Sequence, residues 1–232
     1  RISYNGNTVI GVFNEDLKEN QAFLSFSKTF NEIGLNVPKI LYVDLDNSVY
    51  LLNDLGDVNL YSIIHSKKHD FASNPELIDL YKKALVQLQK FQIVAGKKID
   101  YNYCYPRAKF DRQSILWDLN YFKYDFLKLG RIGFDEQLLE NEFQKFSEFV
   151  ASVNTDYFLY RDFQSRNIMV KDSEIYFIDY QGGRKGALQY DVASLLYDAK
   201  AEIPNPLREE LLNYYLDRLE SDYKLSRTEF MN

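Results

Sequence analysis

Asp162, Asn167 and Asp179 are the residues of this chain whose types and spacing could do chemistry together. Four residues separate the first two, and a run of β-formers, Ile175-Tyr176-Phe177-Ile178, leads into the third. In-line transfer of a phosphoryl group needs positioned charge more than covalent help. One carboxylate must orient the attacking hydroxyl and take its proton, and Asp162 is placed for that role. Two oxygen ligands must hold Mg2+ against the phosphates, because Mg2+ takes hard oxygens and few protein ligands. Asn167 and Asp179 meet that need. Taken singly, each feature is commonplace, since an Asp after a strand is usually a turn residue or a helix cap. The combination is rarer, and it makes ATP- and Mg2+-dependent phosphotransfer to a hydroxyl the leading expectation.

The elements around these residues must bring them together. For Asp162 and Asn167 to face one cleft, the backbone between them must loop rather than run on as a helix. Residues 168–170 and 175–178 read as two strands joined by a turn at 171–174, so that the returning strand delivers Asp179 beside Asn167. Near the start, Asn5-Gly6 between two β-prone runs is a strong hairpin signal. A helix is expected over 16–33, with Ala22, Phe23, Phe26, Phe30 and Ile33 on one stripe and Gly34 as its C-cap. Strands at 39–43 and 49–53 follow, joined by a turn at Asp46-Asn47. Arg1, not Met, opens the chain and reads as the inside of a strand, so N-terminal sequence is expected to be missing. Beyond residue 58 the pattern is mostly helical, with helices expected at 59–65, from Pro75 through Phe91, and at 111–129, 135–153, 190–201 and 206–223. Glycines 130 and 133 separate the middle pair, and Gly182, Gly183 and Gly186 make a loop after the site hairpin.

Composition narrows the partners. The 232 residues are 46% hydrophobic and 27% charged, an ordinary globular balance. A net charge of −6 argues against nucleic acid as the main partner. No apolar stretch reaches membrane-spanning length and no signal-peptide pattern opens the chain. A single cysteine, Cys104, excludes an internal disulfide and makes a reducing cytoplasm the simplest home. With only His65 and His69 beside it, a zinc site is not expected. The many Tyr and Phe rings are read mainly as core.

The run Arg161-Asp162-Phe163-Gln164-Ser165-Arg166-Asn167, then Ile178-Asp179-Tyr180-Gln181, then residues 186–196 from Gly186 to Leu196, resembles the aminoglycoside phosphotransferase and choline kinase superfamily. The likeness is strongest to a bacterial branch that includes anomeric kinases of N-acetylmuramate and N-acetylglucosamine. It spans essentially the whole chain and is most specific between residues 157 and 200. The resemblance implies an α+β, protein-kinase-like bilobal fold, with a small antiparallel N-terminal lobe at 1–53, a hinge at 54–57 and a mostly helical C-terminal lobe at 58–232. It implies ATP and Mg2+ as cofactors, a sugar or amino sugar as the small-molecule substrate, Asp162 as base, and Asn167 and Asp179 on the metal. Asp54 and Leu55 fall where adenine meets the hinge backbone, or else belong to an ordinary loop. Gln181, Arg166 and Arg184 are candidates to bond a sugar, and for the two arginines a surface ion pair is the even alternative. Trp117, Asp118 and Tyr121 either line an acceptor pocket or form one face of a packed helix. Asp191 is expected to cap its helix and bond the catalytic loop, and Tyr160 to support that loop's backbone.

Two departures from the protein-kinase pattern, Gln181 in place of a glycine and the absence of Ala-Pro-Glu, disfavour a protein substrate. A third concerns the N-terminal strand. Kinases place there a lysine on the α/β phosphates, paired to a helix glutamate. Glu19 fits the glutamate, but residues 8–13 hold no lysine and Gly11 stands near its place. Arg1, Lys18 and Lys28 are the candidate substitutes. The Gly-rich loop is also absent from the sequence.

Overall fold

The computed structural model describes residues 1–66 and 74–231, so His69 lies outside the described residues. Asn5 and Gly6 both take positive φ, 49° and 76°. This is the mirror-image turn whose twist matches that of its strands, and it closes β1 (Ile2–Tyr4) onto β2 (Asn7–Phe13). β3 (Ile40–Asp44) and β4 (Val49–Asn53) complete an antiparallel sheet of order β1-β2-β4-β3, with Ile10 opposite Leu52 and Gly11 opposite Leu51. Between β2 and β3 runs α1 (Leu17–Glu32), started by the Asp16 carboxylate, which accepts from the amides of Lys18 and Glu19. Gly34 ends it at φ 76°, with Leu35 N–H reaching the Phe30 carbonyl and Gly34 N–H that of Asn31. That pair of bonds is the Schellman stop.

The buried face of α1 is what attaches the sheet to the rest of the molecule. Phe23 stacks between Tyr50 of β4, at 5.3 Å, and Tyr180, at 5.0 Å. Phe30 meets Phe91, Phe158 and Tyr180 edge-on. Ile33, expected on the same stripe, is half-buried against this core.

After the connector at 54–57 come α2 (Leu60–Ser66), α3 (Pro75–Gln89), α4 (Arg112–Phe122) and α5 (Glu136–Ala151). Both α3 and α4 end sooner than periodicity predicts, because each widens into a π-type turn, over Lys90–Val94 and Lys123–Lys128. The first keeps Phe91 and Ile93 buried. The second buries Lys123 between Glu136 and Glu140, at 2.6 Å from each. Next come β5 (Tyr157–Leu159), the hairpin β6 (Ile168–Lys171) and β7 (Glu174–Phe177), and β8 (Arg184–Gly186), which pairs with β5. The hairpin turn is tighter than expected, two residues long, with Asp172 and Ser173 at φ 51° and 64°. The short strands β5 and β8 have no counterpart in the sequence reading. α6 (Leu188–Leu196) starts earlier and stops earlier than expected, and α7 (Asn205–Tyr223) and α8 (Arg227–Met231) finish the chain. No helix among the described residues is long and apolar enough to cross a membrane.

Phe30 is fully buried at the junction of α1 with Phe91, Phe158 and Tyr180. Phe30→Ala is expected to destabilise the protein by roughly 3–5 kcal/mol, read by urea unfolding. A loss below about 1 kcal/mol would show that α1 is not held by this cluster.

Candidate active site

The chain crosses from β5 into the site through Arg161, at φ 85°, and leaves β7 through Asp179, at φ 69°. Left-handed backbone at bulky residues costs about 1–3 kcal/mol and persists only where the surroundings over-determine it. Here they do. The carboxylate of Asp191, wholly buried, accepts from Tyr160 N–H at 2.8 Å and Arg161 N–H at 3.0 Å. The Tyr160 hydroxyl donates to the Ile178 carbonyl at 2.7 Å, and Ile178 N–H to the Asn167 carbonyl at 3.1 Å. Two strained residues are thereby locked on either side of one short loop.

Asn167 is the point of convergence. Its Nδ2 donates to the Asp162 carbonyl and to Asp179 Oδ2, each at 2.9 Å. Gln181 Nε2 donates to the other Asp179 oxygen, also at 2.9 Å. A cleft of about 440 Å³ opens above them. Ile10, Val12 and Leu52 of the sheet form its roof, Met169 and Ile178 its floor, and Asp54 and Leu55 its back. Asn167, Asp179, Gln181 and Glu19 make the polar end. An apolar slot with a few polar groups gathered at one end suits a flat base with charged phosphates. Asp162 lies beside this cleft, half-buried, under the loop at Gly182, where a Cβ would come within 3.7 Å of its Oδ2. The next glycine, Gly183, is needed for space, because a Cβ there would fall 2.2 Å from the Phe158 ring.

Residues 11–226 match the sequence profile of the family described as "Phosphotransferase enzyme family". The chain belongs to that family. Among curated proteins it is similar to the N-acetylmuramate/N-acetylglucosamine kinases of Neisseria meningitidis serogroup B and Pseudomonas aeruginosa. The identities are 27% over 188 residues and 28% over 189, covering 78% of this chain each time. The chain spans about half the length of these relatives, 51% and 50%. Among solved structures it resembles aminoglycoside phosphotransferase APH(2'')-Ib with ADP bound, at TM-score 0.65 and 14% identity, covering 92% of this chain and 72% of that one. It also resembles choline kinase LicA from Streptococcus pneumoniae, at TM-score 0.63 and 14% identity, covering 92% and 69%. The fold is therefore the protein-kinase-like α+β fold of aminoglycoside phosphotransferases and choline kinases.

Within this phosphotransferase family frame, the N-terminal departure has a specific local form. Glu19 pairs with no cation among the described residues. Instead it accepts from Asn14 Nδ2 at 3.0 Å, and both residues line the cleft. Arg1 is committed elsewhere, to Asp54 and Asp57 of the connector. Lys18 lies over the Tyr105 ring and Lys28 lines a separate surface depression with Glu32.

Of the candidate substrate residues, Gln181 touches Asp179 and Arg166 is exposed. For Arg184 the surface ion pair does not hold. It is buried, and its guanidinium donates to the carbonyls of Gly182 and Tyr105, at 2.9 and 3.3 Å. Trp117 and Tyr121 are exposed and Asp118 binds Arg161, so these three do not make one face of a packed core helix. Asp191 does not cap α6, as expected from sequence, because the helix begins at Leu188 and places it within the first turn. Its bonds to the loop are the half of that expectation the geometry contains. Sequence reasoning missed Ser165, whose hydroxyl donates to Asp198 at 2.6 Å, and Ser27, which shares a 2.6 Å hydrogen bond with the Tyr180 hydroxyl. No local signal marks either pair.

Burial, then the Asp179 charge, raises the Asp162 carboxyl above its ordinary range, while Arg161, Arg166 and Arg184 pull it down. Burial pushes Asp191 further, from 3.8 to about 7, even against its two amide donors. A carboxyl raised in the folded state contributes its full stability below about pH 4 and loses it as pH rises through about 7. Asp191→Asn has no such dependence at this position. Its deficit relative to the parent is therefore expected to shrink between about pH 4 and pH 8, by on the order of 4 kcal/mol at most. Urea unfolding at the two pH values measures it, and a pH-independent difference would mean that Asp191 is ionised throughout.

Proposed function

We propose that this protein is a small-molecule kinase that moves the γ-phosphoryl group of ATP to a hydroxyl of a sugar or amino sugar resembling N-acetylglucosamine or N-acetylmuramate. The observation that carries the reading is the Asn167 amide, bonded at once to the Asp162 main chain and the Asp179 carboxylate at the polar end of an apolar cleft. The curated relatives are named as kinases of those two amino sugars, which supports that acceptor class over choline or an aminoglycoside. A reducing cytoplasm suits a chain whose one cysteine has no partner.

In this reading adenine enters the slot between Leu52 and Met169, against the backbone of Asp54 and Leu55. The donors at the polar end fit Mg2+, since Asp179 brings a carboxylate and Asn167 an amide oxygen, both hard, adjacent and at the cleft surface. When bound there, the ion supplies positive charge that draws the phosphate oxygens together and offsets their repulsion. Asp162 accepts the proton of the acceptor hydroxyl as its oxygen bonds to the γ-phosphorus, and the bond from that phosphorus to the ADP oxygen breaks. Its raised carboxyl makes it a better base than an exposed aspartate. Gln181 holds the second Asp179 oxygen, so that amide donors from both sides fix the carboxylate.

A second reading has one observation in its favour. A cleft with Asn14 on Glu19, and no lysine, could belong to a nucleotide-binding module without catalysis. The two separate cleanly on incubation with MgATP and a panel of N-acetylglucosamine, N-acetylmuramate, choline and an aminoglycoside, following ADP release. We expect turnover on an amino sugar, reduced by about 10²-fold or more in Asp162→Ala. Nucleotide binding without turnover on any acceptor would establish the non-catalytic module instead. Asn167→Ala is expected to keep its circular dichroism and raise the Mg2+ concentration needed for half-maximal rate. An unchanged Mg2+ requirement would remove Asn167 from the metal site.

A further inference from the structure

One residue before Asp162, the Arg161 side chain does not line the cleft and is held by groups from two other elements. Asp118 of α4 takes both guanidinium arms, Nη1 to Oδ2 at 2.7 Å and Nη2 to Oδ1 at 2.8 Å. The Tyr190 hydroxyl accepts a further bond from Nη1 at 2.8 Å. The Phe110 and Tyr190 rings flank the guanidinium, at 4.9 and 5.6 Å from its carbon. α4 is itself a firm support. Its start is tied to β8 through Phe110 N–H on the Lys185 carbonyl, at 2.7 Å, and Lys185 N–H on that of Ala108, at 3.0 Å. Its far end is fastened to α5 through buried Lys123.

The Asp118 carboxylate is 41% exposed, so solvent screens part of what the ion pair adds to the stability of the fold. What a two-pronged arginine–carboxylate contact supplies is direction. Here it directs the side chain of a residue held in left-handed backbone, immediately before the proposed base. We propose that Asp118 is a positioning residue for phosphoryl transfer, which by clasping Arg161 fixes the backbone from which Asp162 is presented. α4 thereby becomes part of the catalytic apparatus without lining the nucleotide cleft. This inference rests on the reading of Asp162 as the base.

The test compares the parent with Asp118→Ala, Asp118→Glu, Arg161→Ala and the Ala/Ala double variant, on N-acetylglucosamine and N-acetylmuramate. Asp118→Ala is expected to lower kcat about tenfold to a hundredfold while KM for MgATP stays within about twofold. Asp118→Glu should recover most of the loss, and the double variant should be no slower than Arg161→Ala alone. Losses that multiply, or a raised acceptor KM with kcat unchanged, would overturn the proposal, the latter because Asp118 would then be touching the acceptor. Hydrogen exchange at the amides of residues 160–163 needs no acceptor. It should quicken in Asp118→Ala and not in Asp118→Glu, and protection unchanged in Asp118→Ala would equally overturn the proposal. If the parent phosphorylates neither sugar while exchange responds as described, the acceptor reading fails and the Asp118–Arg161 clasp is upheld.

Discussion

A single buried carboxylate governs the shape of the candidate site. Asp191 is entirely out of water, and burying a carboxyl group is costly unless its oxygens are satisfied. The two main-chain donors that satisfy it belong to Tyr160 and Arg161, so the chain between β5 and Asp162 has little freedom to lie elsewhere. Behind Asp191 a polar relay extends the constraint to three helices. Gln92, following α3, donates to the Leu188 carbonyl of α6 at 3.0 Å and accepts from the Tyr215 hydroxyl of α7 at 2.6 Å. Gln89 adds a 2.7 Å bond to the Tyr215 carbonyl. Networks of this kind are stable when fully satisfied and fragile when one member is lost. The left-handed conformations of Arg161 and Asp179 are tolerable because this scaffold surrounds them.

The sheet is attached by different means. Its principal link to the site is a column of rings, Tyr50 on Phe23 on Tyr180, closed by the hydrogen bond between the Tyr180 and Ser27 hydroxyls. Tyr180 directly follows Asp179. The roof over the cleft therefore rests on the residue next to the carboxylate proposed for the metal. The cleft thus has a polar end held by hydrogen bonds and a roof that rests on apolar contacts.

What could be read from the sequence was local. Asn5-Gly6 fixes a hairpin because both positions need positive φ, and Gly34 ends α1 for the same reason. The α1 stripe is legible because a helix repeats its buried face every three or four residues. The hairpin between Asn167 and Asp179 is likewise local, and it brings those two residues together. The misreadings have physical causes. A π-type turn after α3 and α4 spends an extra residue without changing composition, so periodicity runs straight through it. Strands of three residues, such as β5 and β8, are too short to show alternation. The Asp118 clasp on Arg161 and the Asp191 grip on Tyr160 join positions 43 and 31 residues apart, and nothing in either neighbourhood announces the other.

The same distinction bears on the absent lysine. In strand β2 the letters reveal only that no lysine is present, whereas the structure has Asn14 turned onto Glu19, the residue read from sequence as that lysine's partner. An amide can hold Glu19 in place but brings no net charge to the cleft. Two carboxylates, Glu19 and Asp179, therefore face a space proposed for a triphosphate, while Arg1, the cation tied to the connector, is spent on Asp54 and Asp57. Like charges a few ångströms apart in a partly desolvated slot repel by several kcal/mol at an effective dielectric near about 20. In the proposed reaction that neutralisation would fall to bound divalent cations, since Arg161 and Arg184 are held by Asp118 and by main-chain carbonyls.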